Sequence, residues 1–262
     1  MMRWLLLSLS LLAGPVAACS DQTDCVVGDR IYRISGVDKA ANGALVFAHG
    51  YRGSAAGVMR NGALRRLADE MGVALVGLEG VNGSWQLPGR PRNRNATGEV
   101  EFDYVTDVLA DVETRFGLNR DRTVATGFSA GGMLVWNLAC YRSDLFAGYI
   151  PMSGTFWDPV PQTCAGPVAN VVHIHGTSDK TVPLSGRAIG DGRQGDVMAA
   201  LEMYRDFGQF GPATADEVDG VLCEMSANDE GKTLSYCRFE GGHSFRLKDL
   251  RVGWDMLLGA RE

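Results

Sequence analysis

The stretch TVATGFSAGGMLVWNLAC, Thr123 to Cys140, sets a run rich in β-branched residues directly against a run of helix formers, with Gly-Phe-Ser-Ala-Gly-Gly at the joint. Val124 to Phe128 reads as a strand, and Met133 to Ala139 reads as a helix that follows Ser129 closely. Gly127-Phe128-Ser129-Ala130-Gly131 fits G-x-S-x-G, in which a tight strand-to-helix turn lifts a serine hydroxyl above the end of a sheet. The glycines belong there because neighbouring backbones come too close for side chains. In a chain with 34 glycines the pattern alone is weak, so its surroundings must decide.

Those surroundings repeat the same alternation. Leu45 to His49, Ala74 to Leu78 and Val171 to His175 are short apolar runs bounded by turn residues, and Leu234 to Phe239 is strand-like as well. Between them Phe102, Val105, Leu109, Val112 and Phe116 recur at three- and four-residue steps, an amphipathic helix with acidic residues on its other face. Alternating strands and helices predict a mostly parallel central sheet with helices on both faces. With 262 residues, 45% hydrophobic and 21% charged, the chain has material for one large core, and neither an internal repeat nor a second composition regime divides it. Two polar segments, Gly83 to Gly98 with Arg90, Arg92 and Arg94, and Gly208 to Leu222, read as loops that could border a cleft.

A serine hydroxyl becomes a nucleophile only beside a base that is itself oriented by a carboxylate. Of the four histidines, His49, His173, His175 and His243, only the last follows the nucleophile in the expected order and sits past a strand end, in Phe239-Glu-Gly-Gly-His243. Asp179 follows the strand Val171 to His175 through Gly176-Thr-Ser178, where an orienting acid belongs. Asp191 and Asp196 read as loop residues. His173 and His175 alternate on one strand, so they share a face and read as structural. Developing oxyanion charge needs two backbone N–H groups. Ala130 is in position to supply one and Tyr51, in His49-Gly-Tyr-Arg-Gly53, the other, which leaves His49 a structural part.

The amino terminus carries one charge (Arg3), an apolar block from Trp4 to Leu12 and a small-residue exit, so residues 1–18 read as a secretory signal peptide and 19–262 as the catalytic domain. Six cysteines suit an oxidising compartment, and sequence neighbours suggest Cys19 with Cys25, Cys140 with Cys164 and Cys223 with Cys237. The protein is thus expected to be secreted or periplasmic. The alternative is a lipid anchor through Cys19, the one route to a membrane. A net charge of −6 argues against a nucleic-acid partner, and no Cys/His spacing of zinc type occurs, so neither metal nor cofactor is expected.

HGYRGS, GFSAGG, HIHGTSDKTVP and GGHSF, in this order after such a leader, resemble the secreted α/β-hydrolase esterases grouped as polyhydroxybutyrate depolymerases, which are related to feruloyl and acetyl-xylan esterases. The resemblance runs from about Tyr32 to near the C-terminus. It implies an α/β-hydrolase fold without a large cap, and Ser129, Asp179 and His243 as nucleophile, acid and base. It also implies Trp85 near the cleft. The expected partner is a small-molecule or oligomeric ester, and the expected state a monomer. No appended substrate-binding domain is expected here. Residues from Trp85 to Asn95, with Phe156 and Trp157, are the expected walls of the pocket. A serine peptidase on the same scaffold, or a non-catalytic envelope or carbohydrate-binding protein, are the competing readings.

Overall fold

A computed structural model describes residues 19–259. The expected signal peptide, residues 1–18, lies outside the described residues. In chain order the elements are β1 (Cys25–Val27), β2 (Arg30–Ser35), β3 (Ala44–Ala48), α1 (Ala55–Arg60), α2 (Gly62–Glu70), β4 (Ala74–Leu78) and α3 (Glu99–Phe116). There follow β5 (Thr123–Phe128), α4 (Ala130–Tyr141), β6 (Gly148–Met152), β7 (Val171–Gly176), β8 (Ala188–Ile189), β9 (Gly192–Arg193) and α5 (Val197–Phe207). The chain ends with β10 (Thr214–Val218), β11 (Val221–Ala227), β12 (Thr233–Phe239) and α6 (Leu247–Leu258).

Ten strands form one sheet in the order β1-β2-β4-β3-β5-β6-β7-β12-β11-β10. The six central strands from β4 to β12 run parallel, and β1, β2, β11 and β10 pair antiparallel at the two margins. Period-two alternation splits the apolar side chains between two cores. Val46 and Ala48 join α3, α4 and α5 on one face, whereas Leu45 and Phe47 join α1, α2 and α6 on the other. Both faces being covered, β3, β4 and β7 are buried throughout their length, and they read in sequence as continuous apolar runs. All five strands expected from the sequence are present, within a residue of the expected ends.

β6 carries Pro151 in the middle of the sheet. Tyr149 and Ser153 send their N–H groups toward β7, to Asn170 and Ile174. Pro151 lies between them and has no N–H to give, so one rung of that ladder is missing. The segment Gly208 to Leu222 does not border the cleft as expected. It holds the marginal strand β10, whose first four residues are exposed, and it contributes no wall to the cavity described below. Three disulfides, Cys19–Cys25, Cys140–Cys164 and Cys223–Cys237, match the pairing expected from sequence neighbours. The first engages the sulfur that a lipid on Cys19 would require. No described helix is long and apolar enough to cross a membrane, and among the described residues no large cap stands over the strand ends.

Candidate active site

Parallel strands deliver their carboxyl ends to one edge of the sheet, and each candidate residue sits just beyond such an end. Ser129 occupies the single residue between β5 and α4, at φ 59° and ψ −119°. A non-glycine residue held there stores roughly 1–3 kcal/mol, which the surrounding packing must sustain. The glycines explain how. A Cβ at Gly131 would lie 1.9 Å from the Ala48 carbonyl oxygen, and one at Gly132 would lie 2.6 Å from that of Met152. α4 therefore rests directly on the backbones of β3 and β6. The Ser129 N–H donates to the Met152 carbonyl at 2.9 Å, which fixes the turn from the other side.

Past β7 the chain turns at once, with the Asp179 N–H donating to the Gly176 carbonyl. The Asp179 side chain is buried, and its two oxygens have separate tasks. Oδ1 accepts from the N–H groups of Thr181 and Val182, each at 2.8 Å. Oδ2 accepts from Nδ1 of His243 at 2.6 Å. The two loops are sewn together by backbone as well: Thr177 N–H donates to Phe239 and Ser178 N–H to Gly241. Gly176 has no room for a side chain because a Cβ would fall 2.4 Å from the Gly242 carbonyl oxygen. The His243 ring then packs on Phe128, the neighbour of Ser129, with ring centroids 4.5 Å apart. Asp179 and His243 are thus joined directly, and the imidazole lies against the elbow.

The loop after β3 faces the elbow, since a Cβ at Gly50 would sit 3.5 Å from that of Ser129. His49 organises this loop. Its Nδ1 bonds the Gly50 carbonyl at 2.8 Å and its Nε2 accepts the Gly80 N–H at 2.9 Å, which makes it a neutral Nδ1–H tautomer. Burial lowers its pKa from the usual histidine value and favours that neutral state. Arg52 and Gly53 spend their N–H groups on Gly83 and Gly50, whereas the N–H of Tyr51 has no acceptor among the described residues. Ala130 is the first residue of α4, so its N–H has no intrahelical partner either.

Ser129, Ala130 and Tyr51 border a cavity of about 330 Å³. Its apolar wall is Trp85, Leu87, Met133, Trp157, Val182 and Ile189. Trp85 was expected near the cleft and does line it, while its indole N–H donates to the His49 carbonyl at 2.9 Å. Of the expected pocket residues Trp157 faces the cavity. Phe156 instead lies buried against Trp136. Asp191 borders the cavity too, and Asp196 caps α5 by accepting the Ala199 N–H.

Sequence reasoning missed what His173 and His175 do. Both are fully buried on the α4 side of β7. The indole N–H of Trp136 donates to Nδ1 of His173 at 3.1 Å, so the proton of His173 is on Nε2. That atom meets Nδ1 of His175 at 3.0 Å, and Nε2 of His175 in turn reaches the Val182 carbonyl at 2.9 Å. The same Nε2 lies 3.5 Å from Oδ2 of Asp179. A one-way chain of donors therefore runs from α4 to the Val182 carbonyl and ends beside the buried carboxylate. Desolvation lowers the pKa of both rings, that of His173 most strongly. The sequence carried a signal in that the two rings share a face, but not in what they touch.

A sheet of this topology, with a serine elbow after its central strand β5 and an acid–imidazole pair beyond the ends of β7 and β12, has the α/β-hydrolase fold. The family described as Phospholipase/Carboxylesterase matches residues 99–191, a span that holds Ser129 and Asp179. A putative esterase, NocK, of Nocardia uniformis subsp. tsuyamanensis is 32% identical over 219 residues, covering 75% of this chain and 63% of its own length. A probable feruloyl esterase C of Aspergillus niger is 30% identical over 173 residues, covering 63% of this chain and 54% of its own. The chain thus spans little more than half to about three fifths of those two relatives. Among solved structures, an acetyl xylan esterase from Aspergillus awamori superposes with a TM-score of 0.66 at 14% identity, over 87% of this chain and 94% of that one. A phospholipase/carboxylesterase from Dyadobacter fermentans gives 0.62 at 18% identity, over 89% and 99%. The chain has the α/β-hydrolase fold, and the relatives its sequence resembles are named as esterases.

Proposed function

We propose that this protein is a secreted serine esterase that cleaves carboxylic esters through Ser129, His243 and Asp179. The single observation that supports it most is the 2.6 Å bond from His243 Nδ1 to the buried Asp179 carboxylate, beside a serine held at an elbow of positive φ. Asp179 fixes the tautomer in which Nε2 of His243 is free to take a proton. Ser129 Oγ attacks the ester carbonyl as His243 removes its proton, and the tetrahedral oxyanion is received by the N–H groups of Ala130 and Tyr51. His243 then protonates the departing alcohol. Water, activated by the same ring, releases the acid and restores the serine.

The apolar cavity beside Ser129, with Trp85 in its wall, suits an acyl group of hydroxyalkanoate, hydroxycinnamate or acetate size. Three disulfides suit an exported protein whose first 18 residues serve as the leader. Ser129→Ala should abolish turnover of 4-nitrophenyl butyrate and labelling by a serine-directed fluorophosphonate, with circular dichroism unchanged. Undiminished turnover in that variant would refute the assignment. A panel of hydroxybutyrate oligomers, methyl ferulate and acetylated xylan then separates the acyl classes.

A further inference from the structure

The cavity lining also has a charge that the esterase chemistry does not use. Arg90, Arg92 and Arg187 border the cavity, with Asp191 as the one acidic residue there. The lining therefore carries three positive charges and one negative, a balance of +2, in a chain whose net charge is −6. Asp191 pairs with none of their guanidinium groups. Its Oδ1 accepts the backbone N–H of Arg92 at 3.1 Å, and its carbonyl accepts from the Arg94 guanidinium at 2.6 Å. Arg187 is held by its Nε on the Thr181 carbonyl at 2.7 Å and more loosely on Gln194 Oε1 at 3.3 Å, both neutral acceptors. Among the described residues none of Arg90, Arg92 and Arg187 forms an ion pair, although eleven pairs of an arginine or lysine with a carboxylate form elsewhere among them.

This wall is built rather than loose. Arg90 and Arg92 belong to the loop before α3, and Arg187 to the segment that leads into the β8–β9 hairpin. The two pieces are in close contact, since a Cβ at Gly192 would come 3.0 Å from the Pro91 side chain. Guanidinium groups with open donors suit a carboxylate, which they can bind through two parallel bonds.

We infer that the cavity selects esters that carry a carboxylate on their acyl or alcohol part, the apolar wall covering the carbon chain and the arginines receiving the anion. The inference rests on the esterase reading and names its substrate class. Reaction at the ester is the acyl transfer already described, and the carboxylate is bound without taking part in it.

Matched esters test it. With the charge on the acyl side, 4-nitrophenyl hemiadipate is compared with 4-nitrophenyl hexanoate. With the charge on the alcohol side, 3-acetoxybenzoate is compared with its methyl ester. At 10 mM salt, kcat/KM for the anionic member of at least one pair should exceed that of its neutral partner about tenfold or more, and the pair that responds identifies the side. Raising salt to 0.5 M should reduce this ratio severalfold, as screening weakens partly exposed charges. The ratio should also fall below about two in Arg90→Gln/Arg92→Gln/Arg187→Gln, and partway in Arg92→Gln alone, whose exposed position makes it safe for folding. A ratio of one or less in both pairs overturns the inference, as does a tenfold preference that persists in the triple variant. If neither member of either pair is hydrolysed and Ser129 fails to label with the fluorophosphonate, the esterase reading itself has failed.

Discussion

Replacing Asp179 by Asn removes one charge and no volume, and the surroundings dictate which way the new amide must face. Its carbonyl oxygen has to occupy the Oδ1 position, because the N–H groups of Thr181 and Val182 both point there at 2.8 Å. The opposite orientation would set an amide NH₂ against two donors, of which the Val182 N–H is buried and costs about 1–3 kcal/mol when left unsatisfied. The NH₂ is therefore driven to the Oδ2 position, 2.6 Å from Nδ1 of His243. A donor there requires Nδ1 to accept, so the ring moves its proton to Nε2, the atom that must be bare to act as base. Inverting the tautomer in this way costs serine hydrolases of another fold about 10⁴-fold in kcat. At about 1.36 kcal/mol per decade that corresponds to about 5.4 kcal/mol of transition-state stabilisation. The assay is kcat on 4-nitrophenyl butyrate, with nitrogen NMR of His243 to read the tautomer. A variant that folds normally and stays within tenfold of the parent would show that Asp179 does not orient the base.

Acid should destabilise the fold through its buried histidines. Burial holds the pKa of His49, His173 and His175 below the usual histidine value, so on acidification the unfolded chain takes up their protons first. Their contribution to stability is complete above about pH 6.5 and is lost as pH falls through the lowered folded values, at up to about 1.4 kcal/mol per pH unit for each ring. Urea unfolding between pH 7.5 and 5 measures it, and a flat profile over that range counts against neutral buried rings. Gly131→Ala should cost about 3 kcal/mol or more, because its methyl group meets the Ala48 carbonyl at 1.9 Å, roughly half of an ordinary contact of ~3.5–4.0 Å. Gly62→Ala, where a Cβ meets only the flexible end of Arg66 at 3.4 Å, should be neutral or stabilise by about 0.5 kcal/mol. Equal midpoints for the two alanine variants would contradict the packing described at the elbow.

The parts that were legible in the sequence are those where one local pattern decides the outcome. β3, β5 and β7 show as apolar runs because both faces of the sheet are covered, and the glycines around Ser129 show because α4 sits on bare backbone. Asp179 and His243 could be chosen because each follows a strand closely, and the imidazole–carboxylate bond joins them as the order of motifs implied. β6 was obscured by Pro151, a residue that argues against a central strand until one sees that only a single rung is lost. β10 was hidden for the opposite reason: Thr-Ala-Asp-Glu is exposed at the sheet margin and carries no apolar period. The histidine chain from Trp136 to Val182 depends on contacts between α4 and β7 that no local pattern encodes. The same holds for the cavity wall. Arg90 and Arg92 could be noted as part of a charged loop, but their partner Arg187 lies 95 residues or more further along.

The bonds that Asp191 makes to Arg92 and Arg94 have a consequence for how this scaffold can be changed. The segments around 90–94 and 187–194 supply cavity wall but none of Ser129, Asp179 and His243, so substrate preference can drift through them while those three residues are kept. They are interlocked, however, and a transplant of either one alone would strand the polar groups of the other. Directed evolution or loop grafting on this chain should therefore treat the pair as one cassette, randomised and exchanged together.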